Sequence, residues 1–331
     1  MTSEIDFRAV RQSFEQIRHE LSKTLIGQDA VVEQLMIALL AEGHCLFEGP
    51  PGVARSLAAA SLARVLGLTF DRIRCTPDLT PHDIIGLGAA PQGTGEVPGP
   101  IFANIVLVDD FTRLRPRSDA LIQQAIQQDQ IVLDGRRYVL AEPFLLLATR
   151  YPDNEELDPI TEHHDDRFMM KVAIGYPEYD DEFELAEVMS SADVGPPEQV
   201  VASHDLQAFR DVARHVEVAP PAVHYALRLV RATRVHEGET PDFVYEWVEF
   251  GAGPRAAHYL VLAAKTRAAL HGRNEVDHDD IKAVAHPVLR HRIITNRNAR
   301  SNGVTVDRVI RRLLYDTPER APGDEAPPAS R

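Results

Sequence analysis

The chain has 331 residues, room for about two domains, and its 44% hydrophobic and 26% charged content is that of a folded globular protein. Thirty-five Lys and Arg stand against 50 Asp and Glu, a formal charge of −15, which argues against a general nucleic-acid binder or a protein drawn to anionic membrane. Two cysteines, Cys45 and Cys75, exclude a disulfide framework and a four-thiolate zinc site, and they suit a reducing compartment.

The first 24 residues read as an N-terminal helix. Ile5, Phe7, Val10, Phe14, Ile17 and Leu21 fall at helical spacing across 5–23. The stretch is charged throughout, so no secretory leader is expected. No apolar run approaches the roughly 18 residues of a membrane helix, and the expected location is cytoplasmic. Asp29 reads as the N-cap of a second helix over 30–42. His44-Cys45-Leu46-Phe47-Glu48 is a short, mostly apolar run that stops at Gly49-Pro50-Pro51-Gly52, and a helical stretch follows over 56–66. Strand, glycine turn, helix is the context that a phosphate-binding loop requires.

Two further apolar runs, Ile105–Val108 and Phe144–Ala148, are too short for helices. Continuous apolar strands alternating with helices predict a parallel sheet covered on both faces. A Gly- and Pro-rich stretch over about 86–100 reads as an inserted hairpin or loop. Residues 120–128 read as a helix. The Asp134-Gly135 pair between two strand-like runs, 131–133 and 138–140, signals a hairpin. After Gly175-Tyr176-Pro177 the texture changes. Helical patterns cover 178–189, 205–215, 221–237, 254–270, 279–290 and 306–314, with no convincing strand. The predicted organisation is an α/β nucleotide domain over 25–175, a helical domain over 176–317, and a disordered tail over 318–331 with four prolines.

Five short motifs carry the chemistry. The loop reads Gly49-Pro50-Pro51-Gly52-Val53-Ala54-Arg55-Ser56, and the strict pattern has Gly-Lys-Ser/Thr at its last three places. Taken alone, this fits an ordinary loop as well. Ile105-Val106-Leu107-Val108 ends in Asp109-Asp110; a carboxylate at the end of a parallel strand sits at the ligand edge of the sheet, where it can hold Mg²⁺ or its water. The plainer reading is a cap or an exposed turn. Ala148-Thr149-Arg150-Tyr151-Pro152 is a polar patch after the next strand. Asp166-Arg167-Phe168 and Gly251-Ala252-Gly253-Pro254-Arg255-Ala256 complete the set. A single arginine is more often solvated than functional; the order and spacing of all five are what point to nucleotide.

At these residues the sequence resembles the MoxR family of AAA+ ATPases, from about Leu25 to Pro318. The most specific stretches are Thr76-Pro77-Asp78-Leu79-Thr80-Pro81-His82-Asp83-Ile84-Ile85-Gly86, Pro98-Gly99-Pro100-Ile101-Phe102-Ala103-Asn104, Asp165-Asp166-Arg167-Phe168, Ile174-Gly175-Tyr176-Pro177 and Pro287-Val288-Leu289-Arg290-His291-Arg292. The resemblance implies an AAA+ αβα phosphate-loop domain with a parallel sheet, followed by an all-helical lid. It also implies a homo-oligomeric, usually hexameric ring that uses ATP/ADP and Mg²⁺. The family acts as chaperones or activators, often beside partners with a von Willebrand factor A domain. By position, Gly49, Pro50, Pro51, Gly52, Val53, Ala54, Arg55, Ser56 and Leu57 hold the phosphates. Ser56 and Asp109 serve the metal. The resemblance gives Asp110 the polarising of the attacking water, Tyr151 the first sensor position, Arg167 the part of the arginine finger, and Arg255 that of the lid sensor. Ile26, Gly27 and Gln28 lie beside the adenine.

Four positions depart from the family pattern. Position 55 is Arg in place of Lys, a planar fork in place of a compact ammonium. Position 110 is Asp in place of Glu, one methylene shorter. Position 151 is Tyr in place of Asn, with a hydroxyl donor on a large ring. Ala54 in place of Gly is milder. Ser56, Asp109, Arg167 and Arg255 are retained. Two readings follow: an ATPase ring that remodels or activates a partner protein, and a slowly hydrolysing scaffold or mixed-ring subunit that binds ATP. A nucleic-acid motor is disfavoured by the charge. The basic C-terminal region, with Arg290, Arg292, Arg297, Arg300, Arg308, Arg311 and Arg312, reads as a solvated or subunit face. His163-His164 beside Asp165-Asp166 lacks the convergence that a metal site needs.

Overall fold

The computed structural model describes residues 6–86, 98–128, 130–150, 165–190, 195–235, 237 and 240–320. The described residues fall into two compact units. One takes those within Gln12–Phe168 and Val172–Ala208; the other takes those within Met1–Arg11, Met169–Lys171 and Phe209–Arg331.

The first unit is built on a five-stranded sheet. Its strands are β1 (Cys45–Glu48), β2 (Phe70–Arg74), β3 (Ile105–Asp109), β6 (Leu145–Arg150) and β7 (Met170–Ala173), in the order β2-β3-β6-β1-β7. The β2–β3, β3–β6 and β6–β1 pairs are parallel. The three inner strands are apolar runs because helices cover both faces: Leu46, Phe47, Ile105 to Val108 and Leu145 to Ala148 are wholly buried. Fully burying each such Leu, Ile or Phe contributes about 1.5–3 kcal/mol. Helix α1 (Phe7–Ser22) buries Val10, Phe14, Ile17 and Leu21, as the spacing predicts. Helix α2 runs Asp29–Leu40, so Asp29 is its first residue rather than its cap; Gln28 holds the N-cap with no side-chain bond. Arg18 draws the Asp29 carboxylate aside at 2.9 Å.

Helix α3 (Arg55–Val65) follows β1, and the short helix α4 (Pro81–Ile85) carries a capping box between Thr80 and Asp83. Helix α5 (Pro116–Gln128) leads into the hairpin of β4 (Gln130–Leu133) and β5 (Arg136–Val139). Asp134 at φ 50° and Gly135 at φ 78° form its two-residue turn, which needs positive φ at both places.

Two strands have no counterpart in the sequence reading. In β2 only Ile73 is buried, and in β7 the burial alternates. Both sit at sheet edges, where one face alone meets apolar neighbours, so neither forms a continuous apolar run. Helix α6 (Tyr179–Ser190) also belongs to the first unit.

In the second unit α8 (Pro220–Arg231), α10 (Pro254–Leu270) and α11 (His278–Leu289) pack together through Tyr225, Leu229, Leu260, Ala264, Ile281 and Val288, all at most lightly exposed. The buried Asp280 is held there by Arg267 at 2.8 Å and Arg273 at 2.6 Å. α13 (Val306–Asp316) packs on α11. A small antiparallel ladder of β8 (Val248–Phe250) and β9 (Ile294–Thr295) corrects the expectation of no strands after residue 175. Three and two residues make too little pattern to register as period-two alternation.

Candidate functional site: a phosphate-binding loop facing two strand ends

The loop after β1 turns sharply into α3. At Gly49 a Cβ would lie 2.1 Å from the Ile174 carbonyl oxygen, so only glycine allows that approach. Gly52 has φ +87°, with open space where a Cβ would stand. Ala54 sits at φ 58°, ψ 24°, a left-handed conformation that costs an alanine about 1–2 kcal/mol. The departure from glycine there is therefore not neutral to the backbone. Arg55 opens α3 and is buried, and Ser56 follows in the first turn, partly exposed. The free N–H groups of such a turn and the helix dipole favour an anion.

Opposite the loop, Asp109 ends β3. Its Oδ1 accepts from the Thr149 hydroxyl at 2.7 Å, and its Oδ2 accepts from Arg72 of β2. Burial opposes its ionisation. The hydrogen bonds from Arg72 and Thr149, with the charges of Arg72 and Arg55, outweigh that and hold the carboxyl below the ordinary carboxylate range. Thr149 also accepts the Asp110 N–H at 2.9 Å, so one wholly buried hydroxyl aligns both acidic residues. Asp110 has φ 61°, ψ 55°, a region in which Asp is among the better-tolerated residues. Its carboxylate accepts from Thr112 at 3.0 Å and meets Arg113 at 3.4 Å within its own turn. Cys75 lies beside this pair; burial, then the charges of Asp110 and Asp109, push its thiol up to about 12, so it stays neutral.

Arg167 donates to Gln123 of α5 at 2.9 Å. Gly27, at φ +71°, turns against Asp181 of α6, whose Oδ2 lies 2.2 Å from where a Cβ would stand. Ile26 is buried and Gln28 partly buried. In the second unit Arg255 is exposed in the first turn of α10. The Gly251-Ala252 turn before it is pinned by Thr233, whose hydroxyl accepts the Ala252 N–H at 2.8 Å. Tyr151, His163, His164, most of the 86–100 insert and residues 321–331 lie outside the described residues.

Asp109 and Asp110 are thus joined by Thr149, and Arg72 is tied to Asp109, two residues to which the sequence reading gave no role. Thr149 had a signal: it stands two residues before Tyr151 at the end of a predicted strand. Arg72 had none, because the strand that carries it went unseen. These residues fit a nucleotide phosphate and Mg²⁺: a helix N-terminus for the anion, and a hydroxyl and a carboxylate as hard oxygen donors. Among the described residues no three His, Cys, Asp or Glu side chains converge to hold a metal unaided, and Mg²⁺ bound with nucleotide needs only one or two carboxylates.

Residues 44–170 match the ATPase family associated with various cellular activities (AAA), and residues 244–313 match the AAA lid domain. The chain is 37% identical over 301 residues to chaperone MoxR1 of Mycobacterium tuberculosis, covering 89% of this chain and 79% of that one. It is 27% identical over 312 residues to protein MoxR of Methylorubrum extorquens, covering 87% and 88%. The crystal structure of a candidate ATPase from Cytophaga hutchinsonii superposes with a TM-score of 0.86 at 31% identity, covering 94% of this chain and 96% of that one. The fold is that of an AAA+ nucleotide domain followed by a helical lid. The chain belongs to the MoxR family of AAA+ ATPases.

Proposed function

We propose that this protein binds Mg²⁺-ATP at the Gly49–Ser56 loop, hydrolyses it, and uses the cycle in a homo-oligomeric ring to remodel or activate a partner protein. The observation that carries the reading is the joining of Asp109 and Asp110 by Thr149 at the carboxyl edge of the parallel sheet, where this fold class binds ligands. The naming of a relative as a chaperone and of a structural neighbour as a candidate ATPase supports hydrolysis over the binding-only alternative.

In this reading the N–H groups that open α3, with Arg55, neutralise phosphate charge. Ser56 and Asp109 hold the metal, which when bound neutralises charge developing on the phosphates. Thr149 keeps the Asp109 carboxylate turned to its task and fixes the backbone from which Asp110 polarises water. Arg167 donates to a neighbouring subunit's nucleotide, bidentate and charge-assisted, once it leaves Gln123. Arg255 serves from the lid. The nucleotide domain spans 25–175 and the lid 176–317, and a von Willebrand factor A domain protein is the class of partner. Among the described residues no helix is long and apolar enough to cross a membrane; a cytoplasmic location is part of the proposal.

The test is phosphate release by the pure protein, with nucleotide binding and light scattering measured in parallel at micromolar concentration. Binding without release would leave only the scaffold reading. A monomer under saturating Mg²⁺-ATP would remove the ring.

A further inference from the structure

Arg72 and Asp109 stand on adjacent edge and inner strands, and their ion pair occupies a carboxylate that the proposed chemistry needs. Each Asp109 oxygen has one donor, Thr149 on Oδ1 and Arg72 on Oδ2. A cation that binds through this carboxylate must share it with both or displace one. The two donors differ in how firmly they are held. Thr149 is wholly buried on an inner strand and is tied a second time by the Asp110 N–H. Arg72 comes from the edge strand, its side chain is 35% exposed against 16% for Asp109, and its Nε makes no hydrogen bond although it is buried. A guanidinium engaged at one end, with solvent beside it, is the donor able to leave. It is also the donor that an arriving metal ion disfavours, because two cations on one carboxylate oxygen repel each other while a neutral hydroxyl on the other oxygen is not repelled.

We propose that Arg72 is a gating residue of the nucleotide site: it holds Asp109 Oδ2 in the nucleotide-free protein, gives it up when Mg²⁺ arrives with nucleotide, and so raises the Mg²⁺ concentration at which the site loads. The inference rests on the Mg²⁺-nucleotide reading of the site. It assigns Arg72 an action on the metal step alone, exerted through Asp109, with none on the phosphates.

The experiment is a Mg²⁺ titration of the full chain with a fluorescent, non-hydrolysable ATP analogue, set beside the affinity for the same analogue in EDTA. In Arg72→Ala the Mg²⁺ concentration for half-maximal response should fall by about three- to tenfold, the size of losing one partly exposed charge-assisted hydrogen bond. The affinity in EDTA should stay within about twofold. Arg72→Gln, neutral and similar in length, should shift the same way and serves if the Ala variant does not fold. A half-point that stays put or rises in a folded variant overturns the proposal, since a merely structural tie between β2 and β3 would not ease metal binding. A loss of affinity in EDTA also overturns it, because Arg72 would then be a phosphate ligand. If wild type fails to bind the analogue at all, the nucleotide reading itself fails; binding without the Arg72 shift defeats only this inference.

Discussion

Arg150, the last residue of β6, is joined to Asp165 at 2.6 Å, with side chains only 9% and 5% exposed. The pair ties the end of the strand that carries Thr149 to the segment that carries Arg167. Arg150 also lies over the Phe111 ring at 5.7 Å, and Phe111 meets Phe168 edge-on at 5.9 Å. The strand end and the segment from Asp165 to Phe168 are thus held together through one buried cluster.

Removing one member of a buried pair leaves a charge with its main partner gone, a cost of about 3–5 kcal/mol. Arg150→Met should therefore lower the unfolding free energy by about that much in urea. The double variant Arg150→Met with Asp165→Leu should recover much of the loss, because no charge is left stranded. Equal losses in the single and double variants would mean that packing of the arginine, rather than its charge, is what matters.

Thr149→Val keeps the shape but removes the hydroxyl. It leaves the Asp110 N–H without its acceptor and Asp109 Oδ1 without its donor, at about 1–3 kcal/mol for the stranded groups. Turnover should fall more than nucleotide affinity, since both acidic residues lose alignment together. Thr149→Ser should retain most of both. A Val variant with unchanged turnover would show that this hydroxyl has no part in placing Asp109 or Asp110.

Asp110→Glu extends the carboxylate by one methylene, and a misplacement of about 1 Å can cost on the order of 10²-fold. If the short side chain limits the rate, turnover should rise about tenfold or more. The left-handed backbone at this residue favours Asp over Glu, so the variant should also melt a few degrees lower. Steady-state phosphate release, with a thermal melt of the same sample, checks both. Wild-type turnover of about 1 s⁻¹ or faster with no gain in the variant would mean that the site has compensated for its departures.

His44 should make the protein acid-sensitive. Burial lowers its pKa from the ordinary value of 6.5 to about 4. Its Nδ1 accepts the Leu146 N–H at 3.1 Å and so must stay unprotonated in the fold. The unfolded chain therefore binds more protons than the native one between these values. The stability that this histidine contributes is full above pH 6.5 and is lost as pH falls toward 4. By pH 5 the loss from this group is about 2 kcal/mol. His44→Gln, which keeps an acceptor but does not titrate, should lose correspondingly less between pH 7.5 and 5 in chemical denaturation. Parallel curves for the two proteins would exclude the histidine as the source.

Much of this molecule was legible in local pattern. The inner strands β1, β3 and β6 announced themselves as apolar runs because helices cover them on both sides. Asp134-Gly135 announced its hairpin because few other pairs accept two positive φ angles in a row. Most long helices followed their apolar spacing, as Pro254–Leu270 does residue for residue, while the one expected over 221–237 ends at Arg231. The loop and Asp109 could be placed at one edge, since both stand at the ends of inner strands.

The edge strands could not be read this way. Phe70-Asp71-Arg72-Ile73-Arg74 buries a single residue, and a half-covered strand that short is lost among loops. With β2 unseen, Arg72 had no address. Its bond to Asp109 exists because β2 pairs with β3 in one register, Arg74 opposite Asp109, a contact between segments more than thirty residues apart. Periodicity reports what one segment does with its own faces; an ion pair across strands depends on which segments meet. The chain could therefore be assigned a nucleotide fold and its loop from the order of residues. The partners that hold each carboxylate, the Arg72 ion pair on Asp109 among them, came only with the pairing of strands.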